Sequence, residues 1–431
     1  MKIALTTDSF VEGQGGVSTA VAALARILRQ RGHQVKVYSA TDPSHIHTDL
    51  DVIGLRALHY TRLPGGRIPV DPAKLTREFA RYRPDIIHNH SMSTMGVQAM
   101  AAARLLGIPI LGTCHVYLAG FLNYAPLPLD GQPIMEKVAW QYTAAFFNRF
   151  PYTTTPSEVM RQKLVSAGLH VPSIAVSNGV DTNLFHPRRS LFRPNLQPFT
   201  LLHVGRLGYE KRVDAILRAF GRLSQDFLQA RLLIVGDGPQ ASLLRSLAYD
   251  LKITRQVKFL GQVSHDRLPG IYRQADVFVT ASTIETQGLV VLEATASGLP
   301  ILGVDALALP ELIHSGVNGF LVPPEDEQAL AEGMARLLRS KDLCLEMGTA
   351  SRQIALLHSL PRVAEQYEAI YLRLREKYRP DWFSYPRMSL AWQGVGLNHS
   401  LNSIRSVKQS VGKMFTPILK WVQTSLLRYG R

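Results

Sequence analysis

Two glutamates, Glu285 and Glu293, stand eight positions apart in the run Ile284-Glu285-Thr286-Gln287-Gly288-Leu289-Val290-Val291-Leu292-Glu293. A carboxylate accepts two hydroxyl hydrogen bonds at once. Two of them flanking an anion site therefore suit a diphosphate held between two sugars, one glutamate to each sugar. The apolar run Asp276-Val277-Phe278-Val279 upstream reads as a strand, and the pattern from Leu289 to Gly298-Leu299-Pro300 reads as a helix. Gly288, Leu289 and Val290 then lie at the helix start, where free backbone N–H groups and the helix dipole favour phosphate.

Cations suited to the same anion lie upstream. Leu201-Leu202-His203-Val204-Gly205-Arg206 is a short apolar strand running into a glycine turn, and Lys211 follows five residues later. Arg206 offers a planar fork of donors and Lys211 a compact charge, and fixed cations aimed at a leaving diphosphate hasten its departure. Near the start of the chain, Gly13-Gln14-Gly15-Gly16-Val17 joins a first strand to a helix; Gly15 and Gly16 there let backbone approach a ligand closely. The loop has neither the dinucleotide-binding glycine spacing nor the Lys-Ser/Thr ending of a P-loop. Ile108 to His115 is a strand that delivers His115 to its C-terminal end, where ligands bind in open α/β sheets. His88 and His90 end another strand and are expected to line the cleft, since no Cys or carboxylate companion completes a metal set. Asp49-Leu50-Asp51 matches an Asp-x-Asp metal motif but lies in a polar loop, and is not taken as a metal site. No metal or other cofactor is expected.

Together these segments resemble the retaining GT-B glycosyltransferases of family 4, over roughly residues 1 to 375. The resemblance implies that Glu285 faces the donor hexose, Glu293 binds the nucleotide ribose, and Arg206 and Lys211 meet the diphosphate. It places His115 beside the transferring sugar in an orienting role, because the leaving phosphate accepts the acceptor proton in front-face attack. Gly15 and Gly16 match the family's Gly-Gly-Val loop, which meets the donor diphosphate or the acceptor. Val235-Gly236-Asp237-Gly238-Pro239 matches an architectural landmark, Lys258 to Val263 a loop near the base, and Asn178-Gly179-Val180-Asp181 with Phe185 the approach to the hinge. The Glu285-Thr286-Gln287-Gly288-Leu289 variant, Thr7-Asp8-Ser9-Phe10 and the loop Gly112 to Tyr124 are most similar to diacylglycerol glucosyltransferases. Leu118-Ala119-Gly120-Phe121 departs from their polar pattern. The implied activity is transfer of glucose from UDP-glucose to a membrane lipid. Two alternatives stay open: a mannosyl- or other hexosyltransferase acting on phosphatidylinositol, a lipid-linked sugar or a soluble glycan, and an inactive sugar-nucleotide-binding membrane scaffold.

Strands alternating with amphipathic helices over 431 residues predict an α/β protein with two Rossmann-like doubly wound domains facing across a cleft. The expected domains are residues 1–186 for the acceptor and 199–375 for the donor, with a Pro- and Arg-rich linker between them. Residues 376–431 are expected to hold a helix, after about Arg379, that crosses back to the first domain, followed by a basic amphipathic tail. That segment carries nine Lys or Arg against two acids, and its apolar stripe includes Ile404, Val407, Val411 and Met414, with Phe415 and Trp421 nearby. The stripe suits either an anionic membrane surface or packing on the first domain. Arg56, Arg62 and Arg67 form a second basic-apolar candidate beside the acceptor cleft. A net charge of +15 asks for an anionic partner. The basic residues are not interleaved with aromatics on a nucleic-acid motif, so nucleic acid is not expected. Two cysteines, no signal peptide and no apolar run long enough to span a bilayer suggest a cytoplasmic protein, peripheral on the cytoplasmic membrane face.

Overall fold

Near-continuous apolar strands need cover on both faces, and this chain supplies it with interleaved helices. The structure, a computed structural model, describes residues 1–11, 15–46, 48–59, 67–69, 71–118, 120, 133–188 and 198–377. The first half holds β1 (Lys2–Thr7), β2 (Gln34–Ser39), β3 (Val52–Gly54), β4 (Ala57–His59), β5 (Arg67–Pro69), β6 (Ile86–Asn89), β7 (Ile110–Thr113), β8 (Thr153–Thr155) and β9 (Ser173–Ala175). The second half holds β10 (Thr200–Val204), β11 (Arg231–Val235), β12 (Val257–Gly261), β13 (Val277–Val279), β14 (Ile301–Val304) and β15 (Gly319–Val322).

Two parallel sheets result, ordered β3-β2-β1-β6-β7-β8-β9 and β12-β11-β10-β13-β14-β15, with β4 and β5 as a separate antiparallel ribbon. In each sheet the chain winds outward one way, then returns to the middle and winds outward the other way. The order reverses between β1 and β6 in the first sheet and between β10 and β13 in the second. Crevices open at such reversals beyond the strands' C-terminal ends, because the flanking helices diverge there. The expected fold class, two Rossmann-like doubly wound domains, is the one observed.

The return crossing differs from expectation. It is the helix Leu360–Lys377, whose start precedes the helix expected after about Arg379. Val363, Ala364, Tyr367, Ile370, Tyr371 and Leu374 form one buried stripe that joins Val21, Leu24 and Leu28 in the first half's core. Arg31 grips Glu368 through both guanidinium branches at 2.8 Å, and Arg375 meets Asp85 at 3.2 Å. Residues 360–375 thus pack with the first sheet, although the sequence reading assigned them to the donor domain. Their spacing announces an amphipathic helix but carries no sign of which sheet it covers. The two crossings lie side by side: the Val180 N–H donates to the His358 carbonyl at 3.0 Å, and the Leu360 N–H to the Val180 carbonyl at 3.1 Å.

The tail stripe from Ile404 onward and Arg62 lie outside the described residues. No helix among the described residues is long and apolar enough to cross a membrane.

Candidate active site

The reversal between β10 and β13 gathers the predicted donor residues. Arg206 is exposed on the turn after β10, and Lys211 ends a short helical turn, Tyr209–Lys211. Glu285 lies on the loop after β13, and its carboxylate pairs directly with the Lys211 ammonium. Burial pushes the Glu285 carboxyl upward, but the Lys211 charge outweighs it and holds the group below its ordinary value. Gly288 caps the helix Leu289–Ala296 with φ of 88°. A left-handed residue there turns the chain sharply and frees the first amides of the helix, at Leu289 and Val290, for an anion.

Glu293 lies one turn inside this helix and is 6% exposed. Its carboxylate accepts from the Tyr272 hydroxyl at 2.8 Å and lies 3.1 Å from His265 Nε2. Phe185 packs edge-on against both rings. Sequence reasoning missed His265 and Tyr272, which precede Glu293 by 28 and 21 positions. It also missed His203, whose Nδ1 donates to the Val279 carbonyl at 3.0 Å, so that its buried Nε2 is left as a bare acceptor near Lys211.

The turn bearing Arg206 is clasped by Gly236 to Gly238. The Leu207 N–H donates to the Asp237 carbonyl at 3.0 Å, and a side-chain carbon placed on Gly236 would stand 1.8 Å from the Gly205 carbonyl oxygen.

The first sheet supplies the facing wall. Gly15 caps the helix Gly16–Gln30 with φ of 88°, and a carbon added at Gly16 would lie 3.7 Å from the Leu289 side chain. The two helix starts therefore lie in ordinary contact, and it is the positive φ of Gly15 that calls for glycine; Gly13 and Gln14 lie outside the described residues. At the β1–β6 reversal, Asp8 accepts from the hydroxyls of Ser91 (2.6 Å) and Ser93, and burial raises its carboxyl above the ordinary value. Asp8 was not among the expected site residues, although its place at the end of β1 was the available signal.

His115, 8% exposed, follows β7 and has its Nε2 2.8 Å from His90 Nδ1. His88 corrects the expectation of a cleft-lining residue. It is fully buried, bonded to the Tyr371 hydroxyl at 2.7 Å and to the Thr113 hydroxyl at 2.6 Å, and its ring packs at a tilt against that of His90. Asp49 and Asp51 each hold a cation, Arg26 at 2.6 Å and Lys36 at 3.3 Å.

Burial pushes the His115 and His203 imidazoles down to about 4. Each is thus neutral in the folded chain, whereas the unfolded chain protonates it near 6.5. A depressed folded value contributes stability that is complete above about pH 6.5 and is lost as pH falls toward 4, roughly 3 kcal/mol per group. Unfolding free energy measured across that window should fall steeply, and His203→Phe should lower the slope by close to one proton. An unchanged slope in that variant would show that His203 does not carry this linkage.

Two doubly wound sheets, with paired cations and carboxylates at the crevice of one, define a two-domain α/β protein built to hold a nucleotide-linked group. A family model described as Glycosyltransferase Family 4 matches residues 14–184, and one described as Glycosyl transferases group 1 matches residues 189–354. The chain belongs to this family of GT-B glycosyltransferases; it is a hexosyltransferase that takes its sugar from a nucleotide sugar. It is 28% identical over 342 residues to the alpha-monoglucosyldiacylglycerol synthase of Streptococcus pneumoniae, covering 76% of this chain and 77% of that one. It is 30% identical over 345 residues to the sulfoquinovosyl transferase SQD2 of Arabidopsis thaliana, covering 76% and 64%. Sucrose-phosphate synthase of Thermosynechococcus elongatus shares the fold, with a TM-score of 0.73, 22% identity and coverage of 86% and 98%.

Proposed function

We propose that this enzyme is a retaining glucosyltransferase that moves glucose from UDP-glucose to a membrane lipid of the diacylglycerol type. The observation that carries the lipid acceptor is an apolar contact immediately beside Glu285, the carboxylate read as sugar-facing. A carbon added at Gly120, in the turn after His115, would stand 2.9 Å from the Ile284 side chain, immediately before Glu285. An acceptor hydroxyl attached to an apolar body fits that surroundings better than a fully polar glycan does. One relative named for a glucosyldiacylglycerol supports the same reading, and the α-linked product in its name is what retention from an α-linked sugar nucleotide yields.

In this reading Glu285 binds the glucose hydroxyls and Glu293 the ribose. Arg206, Lys211 and the amides of Gly288, Leu289 and Val290 stabilise the departing diphosphate without a metal. Gly15 and Gly16 let the first half close on the diphosphate, and His115, neutral at physiological pH, orients the transferring sugar. The leaving phosphate takes the acceptor proton. The basic chain works against the anionic cytoplasmic face of a membrane.

The test is transfer of radiolabelled hexose from several nucleotide sugars into extracted lipids, comparing wild type with Glu285→Gln. Label from UDP-glucose in diacylglycerol, reduced at least 100-fold in the variant, is the expected result. Mannose appearing in phosphatidylinositol, or hexose in a lipid-linked sugar or soluble glycan, would replace the donor and acceptor named here. Binding without transfer or donor hydrolysis would make the protein a scaffold.

A further inference from the structure

Three hydrogen bonds from the first half converge on two neighbouring residues of the donor loop. The Ser157 hydroxyl donates to the Thr286 carbonyl at 2.6 Å. The Gln287 carboxamide oxygen accepts from the Asn178 N–H at 2.8 Å, and its nitrogen donates to the Ser177 hydroxyl at 2.7 Å. Gln287 is 3% exposed, so both ends of its amide are committed to atoms of the other half. Ser177 and Asn178 lie just before Val180, where the chain crosses between halves, and the Asn178 side chain in turn bonds to His115. Gln287 itself stands between Glu285 and Gly288, two residues from the first and next to the second.

We propose that Gln287 is a positioning residue that makes the sugar-facing geometry of Glu285 conditional on closure of the two halves. The inference rests on the reading of Glu285 as the carboxylate that meets the donor sugar. With the halves together, the Ser177–Asn178 segment clamps the loop from one side while Lys211 holds Glu285 from the other. With the halves apart, the carboxamide loses both partners and the loop loses its brace. Arg206 and the ribose-binding Glu293 stand on the second half, and the amides facing the diphosphate begin the helix Leu289–Ala296 of that same half, so nucleotide binding needs the clamp less than correct placement of the sugar does. The same segment links His115 to Gln287, so the groups on both sides of the transferring sugar are set by one closure.

Gln287→Met keeps length and burial but removes both polar ends. Its kcat should fall tenfold or more, while the Kd for UDP alone stays within threefold of wild type. Ser177→Ala should give a smaller loss, and in the Gln287→Met background it should add less than it costs alone. The bond between the two side chains is already gone there, and only the Gly179 N–H bond to the Ser177 hydroxyl remains to be lost. Turnover is counted as transfer plus donor hydrolysis, with whichever nucleotide sugar wild type uses fastest. A wrong donor or acceptor assignment therefore leaves these ratios readable. Hydrogen exchange gives a readout independent of turnover: the Asn178 amide, which donates to the Gln287 carboxamide, should lose protection tenfold or more in Gln287→Met, while the amides of β11 keep theirs. A kcat within threefold of wild type, UDP affinity falling in parallel with kcat, additive losses in the double variant, or unchanged protection of the Asn178 amide would each overturn the proposal.

Discussion

On the proposed reading, Lys211→Met should reduce sugar transfer by roughly 10²- to 10³-fold, the cost of removing a fixed charge from a site where negative charge develops. The loss has two sources. The ammonium is the compact cation on the short turn after β10, and its only ion pair among the described residues is with Glu285. Without it the diphosphate loses a neutralising charge, and the Glu285 carboxylate is left in a partly buried place with no counter-charge. Burial is already the largest influence on that carboxyl and acts to raise it; Lys211 is what reverses the sign. In wild type the depressed value means the pair's contribution is complete above the ordinary carboxyl range and disappears only as pH falls through the lower folded value. In the variant the carboxyl moves above its ordinary range, so its ionised form is lost at higher pH. The acid limb of the kcat/KM profile should therefore move upward by more than about one pH unit, the amount set by a pair worth 1.4 kcal/mol or more. A uniform drop in rate with an unmoved acid limb would mean that Lys211 serves the diphosphate alone.

The second large effect is on stability. Gly236→Ala should cost about 3–5 kcal/mol, in the range that follows from forcing a strained backbone and a steric clash together. Gly236 has φ of 126°, which L side chains rarely adopt, and its missing side chain is what lets the Gly205 carbonyl approach. The added methyl must push Gly205 away, and Gly205 precedes Arg206. Denaturant unfolding should show the lost stability, and the residual folded enzyme should bind nucleotide more weakly as the Arg206 turn shifts. A variant with wild-type midpoint and wild-type nucleotide affinity would show that the turn relaxes freely, which would falsify the clasp as the device holding Arg206.

Those two residues also show what a sequence discloses. Glu285, Lys211 and Arg206 were legible because their chemistry is local: each sits at a strand end or helix start that its neighbours announce. The two-sheet fold was legible for the same reason, since buried parallel strands and their covering helices each carry their own pattern. Gly236 was read as architectural, and the structure adds which turn it shapes. Tyr272 and His265 were not legible, because their partnership with Glu293 is made by folding and leaves no spacing in the chain. His88 was misread for a related reason. A strand-end histidine reads as lining the cleft until a tyrosine from a helix 283 positions away closes over it. A helix returning to the first domain was expected, but not that Leu360–Lys377 is that helix rather than the last part of the donor domain. Long-range choice among equivalent apolar faces is settled by the shape of the remaining core, which no short window of sequence records.

The destination of that helix sets a timetable for synthesis. The first sheet's strands are complete by Ala175, yet Tyr367, Tyr371 and Leu374 are part of the same core. A ribosome adding about 5–20 residues per second reaches Leu374 roughly 10–40 s after Ala175. Through that interval the nascent first half presents the apolar groove that the returning helix will fill, while the second half is still being made. The amino-terminal half is the first to emerge and the last to be finished, so a chaperone would meet its open groove before it met the enzyme.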